Sequence, residues 1–445
     1  MKKRKEKMKT KNRFLTAIVL CSMLLVALPG IGIAAAQEDE TLDIYGNADE
    51  DDIIDMRDLT FTARMILRLD DETELADANY DGRISVADMT QIGLIILGRE
   101  SKLTLVDSAD RIVTVNKPVE RIVTTHVTTA EAISLLGAWD RVVSRDYYMT
   151  DEILLPGVGE LPLVTGIMGA YDVDFEKVFE LDPDIFLTLY LPANPGLEDI
   201  IDTLEPEGIP VVTLSFEHPA TLVENLRKLR YVLNTEEKGE AYIAFYEGVV
   251  NDITEKTAGL SDDEKPRVFL WILGYGYTEK YQAIAGDWTG IQSQFEIVGG
   301  INIAEDLTGW YPEVSEEWLM DQSEDPDIDI IACWVSPWVV PGIFGYEVTD
   351  PTVAQDTRNW IMDPDENPAL ELSDAVQNER VYLYQTALAA SPRFVVGMAY
   401  WAKWFHPELF GDDFDPHEIH MTYLTDYMDV DRSEVEDSIL FWPEP

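Results

Sequence analysis

Between Pro219 and Lys265 the sequence gives up the short alternation of strand and helix that flanks it. No other feature constrains the fold as much. Helical patterning runs from Ala220 to Leu233 and, after the single break at Asn234, from Thr235 to about Ala258. At 1.5 Å per residue the second stretch reaches about 36 Å, long enough to join two separate hydrophobic cores. Before it, strands are expected at 119–124, 141–144, 184–189 and 209–214, with helices at 128–136, 174–181 and 197–204, preceded by a hairpin strand at 111–116. After Lys265-Pro266 come strands at 267–273, 329–334 and 381–384 and helices at 290–298, 315–320 and 392–404. Alternation of this kind predicts an α/β fold with largely parallel sheets. The stretch is too long for one core, so two lobes are expected: 103–218 and 265–410, linked by helices over 220–258 and followed by an acidic extension, 411–445.

Ahead of the lobes, a twelve-residue pattern occurs twice, thirty positions apart. In the second copy Asp77, Asn79, Asp81, Arg83, Ser85 and Asp88 hold positions 1, 3, 5, 7, 9 and 12, with Gly82 at the turn. This is EF-hand spacing, in which alternate oxygens on a curled loop surround Ca2+ and position 7 offers only its carbonyl. The first copy supplies Asn47, Asp49, Asp51, the carbonyl of Ile53, Asp55 and Asp58, but carries Asp52 where the turn favours glycine, so weaker affinity is expected there. An apolar helix follows each loop. The duplicated unit, 42–100, resembles the dockerin module, a small all-α calcium module; that resemblance implies a cohesin partner and an attachment role.

The chain opens with eight basic residues between Lys2 and Arg13, then an apolar run from Phe14 to Ala36. This predicts a secretory signal, 1–36, cut after Ala36, with an uncut anchor as the alternative. The formal charge is −51; removing those eight bases and the one acid, Glu6, gives −51 − 8 + 1 = −58. Such a surface disfavours nucleic acid and anionic lipid as partners. Beyond the signal only Cys333 remains, which excludes an intrachain disulfide.

Several segments resemble the substrate-binding proteins of ABC importers for ferric siderophores and vitamin B12. They are Pro118-Val-Glu-Arg-Ile-Val, Glu131-Ala-Ile-Ser-Leu-Leu-Gly, Leu181-Asp-Pro-Asp-Ile, Gly208-Ile-Pro-Val-Val, Pro266-Arg-Val-Phe-Leu, Gly299-Gly-Ile-Asn, Val314-Ser-Glu-Glu-Trp-Leu and Ala390-Ser-Pro-Arg. The resemblance covers about 103–410 and implies two Rossmann-like lobes joined by one long rigid helix. It also implies a metal chelate (ferric siderophore, haem or corrinoid) bound between the lobes, and a permease dimer docked through Glu198 and Glu317.

Aromatic residues concentrate in the second lobe: Trp271, Trp288, Trp310, Trp318, Trp334, Trp338, Tyr275, Tyr277 and Tyr311. Aromatic walls suit a flat or macrocyclic ligand. About half are expected to line the cleft, with Trp318 left in the core. The candidate ligand residues are Tyr147, Trp271, Tyr275, Trp288, Trp310, Trp334, Trp338 and Arg393; Arg393, like Arg145, would hold an anionic group. His417 and His420 read as a surface pair, not a metal site. No catalytic constellation is visible. The rival readings are a dockerin-bearing polysaccharide-degrading enzyme, whose carboxylate pair so acidic a chain could hide, and a cohesin-docked surface component without transport.

Overall fold

Each repeated loop runs straight into a helix, α1 (Met56–Ile66) and α2 (Val86–Ile96), because its last residues double as a helix cap. Asp55 and Ser85 are the N-caps, and Asp58 and Asp88 reach back to the N-cap backbone, closing a capping box in both copies. The computed structural model describes residues 41–445 apart from 168, 191–195, 275–279, 287–289, 310, 324–326 and 445, and at 236 and 237 the backbone alone. The expected signal segment lies outside the described residues.

The module expected to act as an attachment device is built into the first lobe. Ile44 bridges Leu105 of β1 (Lys102–Val106), which pairs antiparallel with β2 (Ile112–Asn116). Leu42, Ile44, Ile54, Met65, Ile92 and Ile95 belong to the same core as Leu103, Val115, Leu136 and Tyr231. The first lobe continues with β3 (Ile122–Thr124), α3 (Val127–Leu135), α4 (Phe175–Leu181), β4 (Ile185–Thr188), α5 (Gly196–Leu204) and β5 (Val211–Thr213). Its sheet is parallel in the order β3-β4-β5, and every strand residue in it is buried, as a sheet covered on both faces requires. The expected strand at 141–144 is reduced to one bridge, Ile122 to Val142.

Two helices follow: α6 (Pro219–Leu233), ended by Asn234 in the left-handed region at φ 54°, and α7 (Glu236–Thr257), the expected long connection. The second lobe holds β6 (Arg267–Leu273), β7 (Tyr281–Gln282), α8 (Ile291–Val298), β8 (Ile301–Asn302), β9 (Glu313–Val314), α9 (Glu316–Gln322), β10 (Ile330–Val335), α10 (Thr352–Met362), α11 (Asp374–Gln377), β11 (Val381–Gln385) and α12 (Phe394–Phe405). The acidic tail is no loose extension. It forms α13 (Pro416–Thr422), a π-helical turn at Tyr423–Tyr427, α14 (Arg432–Val435) and β12 (Phe441–Trp442). That last strand adds antiparallel to β11, giving the order β12-β11-β10-β6-β8. Its aromatic residues explain the docking: Phe441 stacks on Tyr400, and Tyr423 is fully buried against Tyr242 of α7.

Candidate ligand cleft

In parallel α/β sheets the carboxyl ends of the strands carry the binding loops. In the first lobe these are the segments after β3, β4 and β5 and the loop from Arg145 to Met149; in the second they are the segments after β6, β10 and β11. Asp146 shapes its loop by accepting from the backbone N–H of Tyr148 (2.8 Å) and Met149 (2.7 Å). Burial pushes the Asp146 carboxyl up to about 6, opposed by those two donors. The loop presents Tyr147 and Tyr148, whose rings meet edge-on at 5.2 Å.

Tyr148 then meets Trp338, from the loop after β10, at 6.4 Å and 89°. The two lobes therefore touch through an aromatic pair. Trp338 is 64 % exposed and Tyr148 44 %, so both offer free ring face at the mouth of the cleft. The Trp338 loop is pressed onto the segment after β6: a Cβ on Gly274, whose φ is +76°, would lie 2.3 Å from Val339. The lobes also approach at Gly290, φ +68°, where a Cβ would lie 2.6 Å from Pro219 Cδ and 3.1 Å from the carbonyl oxygen of Glu217.

Three expected ligand residues sit elsewhere. Trp271 is fully buried, with Phe269, Tyr281 and Trp360 around it, because strand alternation turns it to the outer face of the sheet. Trp334, one residue before the end of β10, is 3 % exposed and packed beside Tyr311. Arg393, the N-cap of α12, forms a buried ion pair with Glu131 of α3 at 2.7 Å and donates to the Tyr346 hydroxyl at 2.8 Å. Tyr423 donates to the same carboxylate, and the Tyr346 hydroxyl lies 3.2 Å from His420 Nε2. Burial works against the Arg393 charge, but Glu131 beside it, with Tyr346 and Tyr423, outweighs burial and keeps the guanidinium protonated. His420 is thus a core residue; burial and the Arg393 charge push it down to about 3. Tyr275, Trp288 and Trp310 lie outside the described residues, while Trp318 packs partly buried on the second-lobe core.

Glu198 and Glu317 stand exposed in the first turns of α5 and α9, one on each lobe, with no ion-pair partner among the described residues. Sequence reasoning missed Glu131, Tyr423 and Glu217. Only Glu131 left a trace, as the one charge in an otherwise uncharged helix.

In the calcium-type loops, Asp77 accepts from the N–H of Asp81 and Gly82, and Asp88 from those of Asn79 and Ser85. The first loop differs. Asp52 has no left-handed backbone, so its turn needs no glycine, and its carboxylate pairs with Arg227 of α6 at 2.9 Å. Ile54 N–H donates to the Tyr231 hydroxyl at 2.9 Å, and Arg57 lies 2.7 Å from Asp51 and 3.1 Å from Asp55. Asn47 Oδ1 and Asp49 Oδ1 are buried without partners among the described residues. Among the described residues no three acidic, histidine or cysteine side chains converge as a ready-made metal site. A cation in the first loop would therefore rely on amide and carbonyl oxygens as well; the orphaned Asn47 Oδ1 is such an amide oxygen, and the orphaned Asp49 Oδ1 adds a carboxylate oxygen.

Paired α/β lobes joined by a long helix and touching through an aromatic pair place the candidate site between the lobes. The chain belongs to the periplasmic binding protein family, whose profile matches residues 122–388. This is a family of transport binding proteins, not enzymes. A cobalamin-binding protein of Halobacterium salinarum is 29 % identical over 227 residues, covering 50 % of this chain and 56 % of that protein. The chain thus spans little more than half the length of that relative. An uncharacterized ABC transporter substrate-binding lipoprotein of Bacillus subtilis is 24 % identical over 50 % of this chain and 67 % of its own length. Among solved structures, the TroA-like periplasmic binding protein FepB of Veillonella parvula superposes with a TM-score of 0.63 at 20 % identity, covering 77 % of this chain and 99 % of that one. It shows the same fold. No helix among the described residues is long and apolar enough to cross a membrane.

Proposed function

We propose that this protein is the extracellular substrate-binding component of an ABC importer and that its ligand is a corrinoid of the cobalamin type. The observation that carries this reading is the cross-lobe aromatic pair Tyr148 and Trp338, with Tyr147 beside them, at a cleft whose expected cation is engaged elsewhere. A ferric tricatecholate carries three negative charges and calls for clustered guanidinium groups. Here Arg393 is neutralised by Glu131, and Arg145 leans on the Asp146 carbonyl at 3.4 Å. Ring faces suit the broad, weakly charged edge of a corrin macrocycle. The Halobacterium relative, named for cobalamin binding, supports the same choice over haem.

Glu198 and Glu317 would dock the loaded protein on a permease dimer, each lobe offering one carboxylate to a basic pocket. Calcium would stiffen the loops at 47–58 and 77–88, and a cohesin-type partner would meet the module's outer helix faces, where Met56, Leu67, Val86 and Leu97 are exposed in matching positions of the two copies. Titration with cyanocobalamin, followed by tryptophan fluorescence, tests the ligand: micromolar or tighter affinity is expected, on the order of −8 kcal/mol or better. Preference for a ferric tricatecholate over cyanocobalamin would overturn the reading.

A further inference from the structure

Glu217 is a buried acid that nothing in the fold requires. It lies between β5 and α6, at the carboxyl edge of the first-lobe sheet, two residues before the Pro219 that opens α6. The residue is 6 % exposed, yet its carboxyl group has neither a cation nor a hydrogen-bond donor beside it among the described residues. Its own backbone marks the seam between the lobes, since the Glu217 carbonyl is one of the atoms that a Cβ on Gly290 of the second lobe would strike. A buried polar group without a partner costs stability and is retained where it serves a site.

We infer that Glu217 is a ligand-recognition residue of the inter-lobe cleft and that, in its neutral form, it pairs through two hydrogen bonds with a primary carboxamide of the ligand. A carboxylic acid offers an O–H to the amide oxygen while its carbonyl accepts from the amide NH2, and the two bonds close a planar ring. A corrin macrocycle is fringed with such carboxamides, whereas haem presents carboxylates and catecholate siderophores present anionic oxygens. Burial supports the neutral form, pushing the Glu217 carboxyl up to about 8. The inference rests on the corrinoid reading and sharpens it to one residue and one functional group.

The test compares the full-length wild-type protein with Glu217→Gln and Glu217→Leu, titrating each with cyanocobalamin at pH 7 and recording thermal unfolding alongside. Gln keeps a donor and an acceptor in the same places, so its affinity is expected within about threefold of wild type, while Leu loses about tenfold or more, as for two neutral hydrogen bonds. The unfolding midpoint of the Leu variant is expected to be unchanged or higher, because an unpaired buried acid has been removed; a residue with a merely structural role would lower it. Undiminished binding by Glu217→Leu, with a wild type that binds, overturns the Glu217 assignment alone. A wild type that ignores cyanocobalamin overturns the corrinoid reading and the carboxamide pairing together.

Discussion

The ion pair between Glu131 and Arg393 joins the first lobe to the second beneath the cleft, and removing one partner should be costly. Both side chains are at most 4 % exposed, so neither charge can fall back on water. Replacing Arg393 by Met leaves Glu131 buried without its counter-charge, a change that costs about 3–5 kcal/mol. Unfolding entropy of about 2.1 cal/mol/K per residue, over roughly 400 ordered residues, amounts to about 0.8 kcal/mol/K, so the midpoint should fall by about 4–6 °C. Two controls separate charge from packing. The double variant Glu131→Leu with Arg393→Met should recover at least half of the loss, held short of full recovery by the Tyr346 and Tyr423 hydroxyls it leaves behind. The deficit of the single variant should also shrink as the pH is lowered, because protonation relieves the stranded carboxylate. Scanning calorimetry on the three proteins measures all of this. A deficit below about 1 kcal/mol for Arg393→Met, or a double variant as unstable as the single one, would refute the reasoning.

Trp338→Ala should weaken cyanocobalamin binding by about three- to tenfold, the value of one lost aromatic contact, and remove much of the ligand-induced fluorescence change; equal affinity would take Trp338 out of the site. Glu217 is an acid raised from its ordinary 4.5 to about 8 in the folded state, so the folded protein keeps a proton the unfolded chain has lost. Its contribution is full below pH 4.5 and declines as the pH rises to about 8, by up to about 1.4 kcal/mol per pH unit; denaturant titrations of Glu217→Gln should show a flatter profile over that window. Changing Glu198 and Glu317 together to Ala should leave ligand affinity intact while abolishing uptake into vesicles carrying the permease, and lost affinity would contradict a pure docking role. Chelation of calcium should lower the unfolding midpoint of the whole protein in one transition, and Asn47→Ala should blunt that response; an unchanged midpoint would mean that the orphaned oxygens of the first loop hold no cation.

The secondary elements were legible because their signals are local. The 3.6-residue pattern of 235–258 became α7, and the strands at 267–273 and 329–334 became β6 and β10 within a residue or two. The strand at 141–144 failed because its pairing partner meets it at a single residue. Site residues fared unevenly. Trp271 and Trp338 look alike in sequence, both near predicted strands, but strand alternation sends the first to a closed face and a loop carries the second to the cleft mouth. Acidic composition made the tail look like a solvated extension, while its buried aromatics, Tyr423 and Phe441, make it part of the core.

From its sequence alone this chain is two α/β lobes on a long helix behind a duplicated acidic loop, since periodicity, capping residues and repeat spacing act over a few residues at a time. Only the tertiary structure decided that the repeat is tied to α6 through Asp52 and Arg227, that Arg393 answers Glu131 and not a ligand, and that Tyr148 meets Trp338 across the cleft. Each of those partners lies more than 170 positions away in the chain, and no local preference encodes which distant charge or ring will be brought within a few ångströms when two lobes close around a common helix.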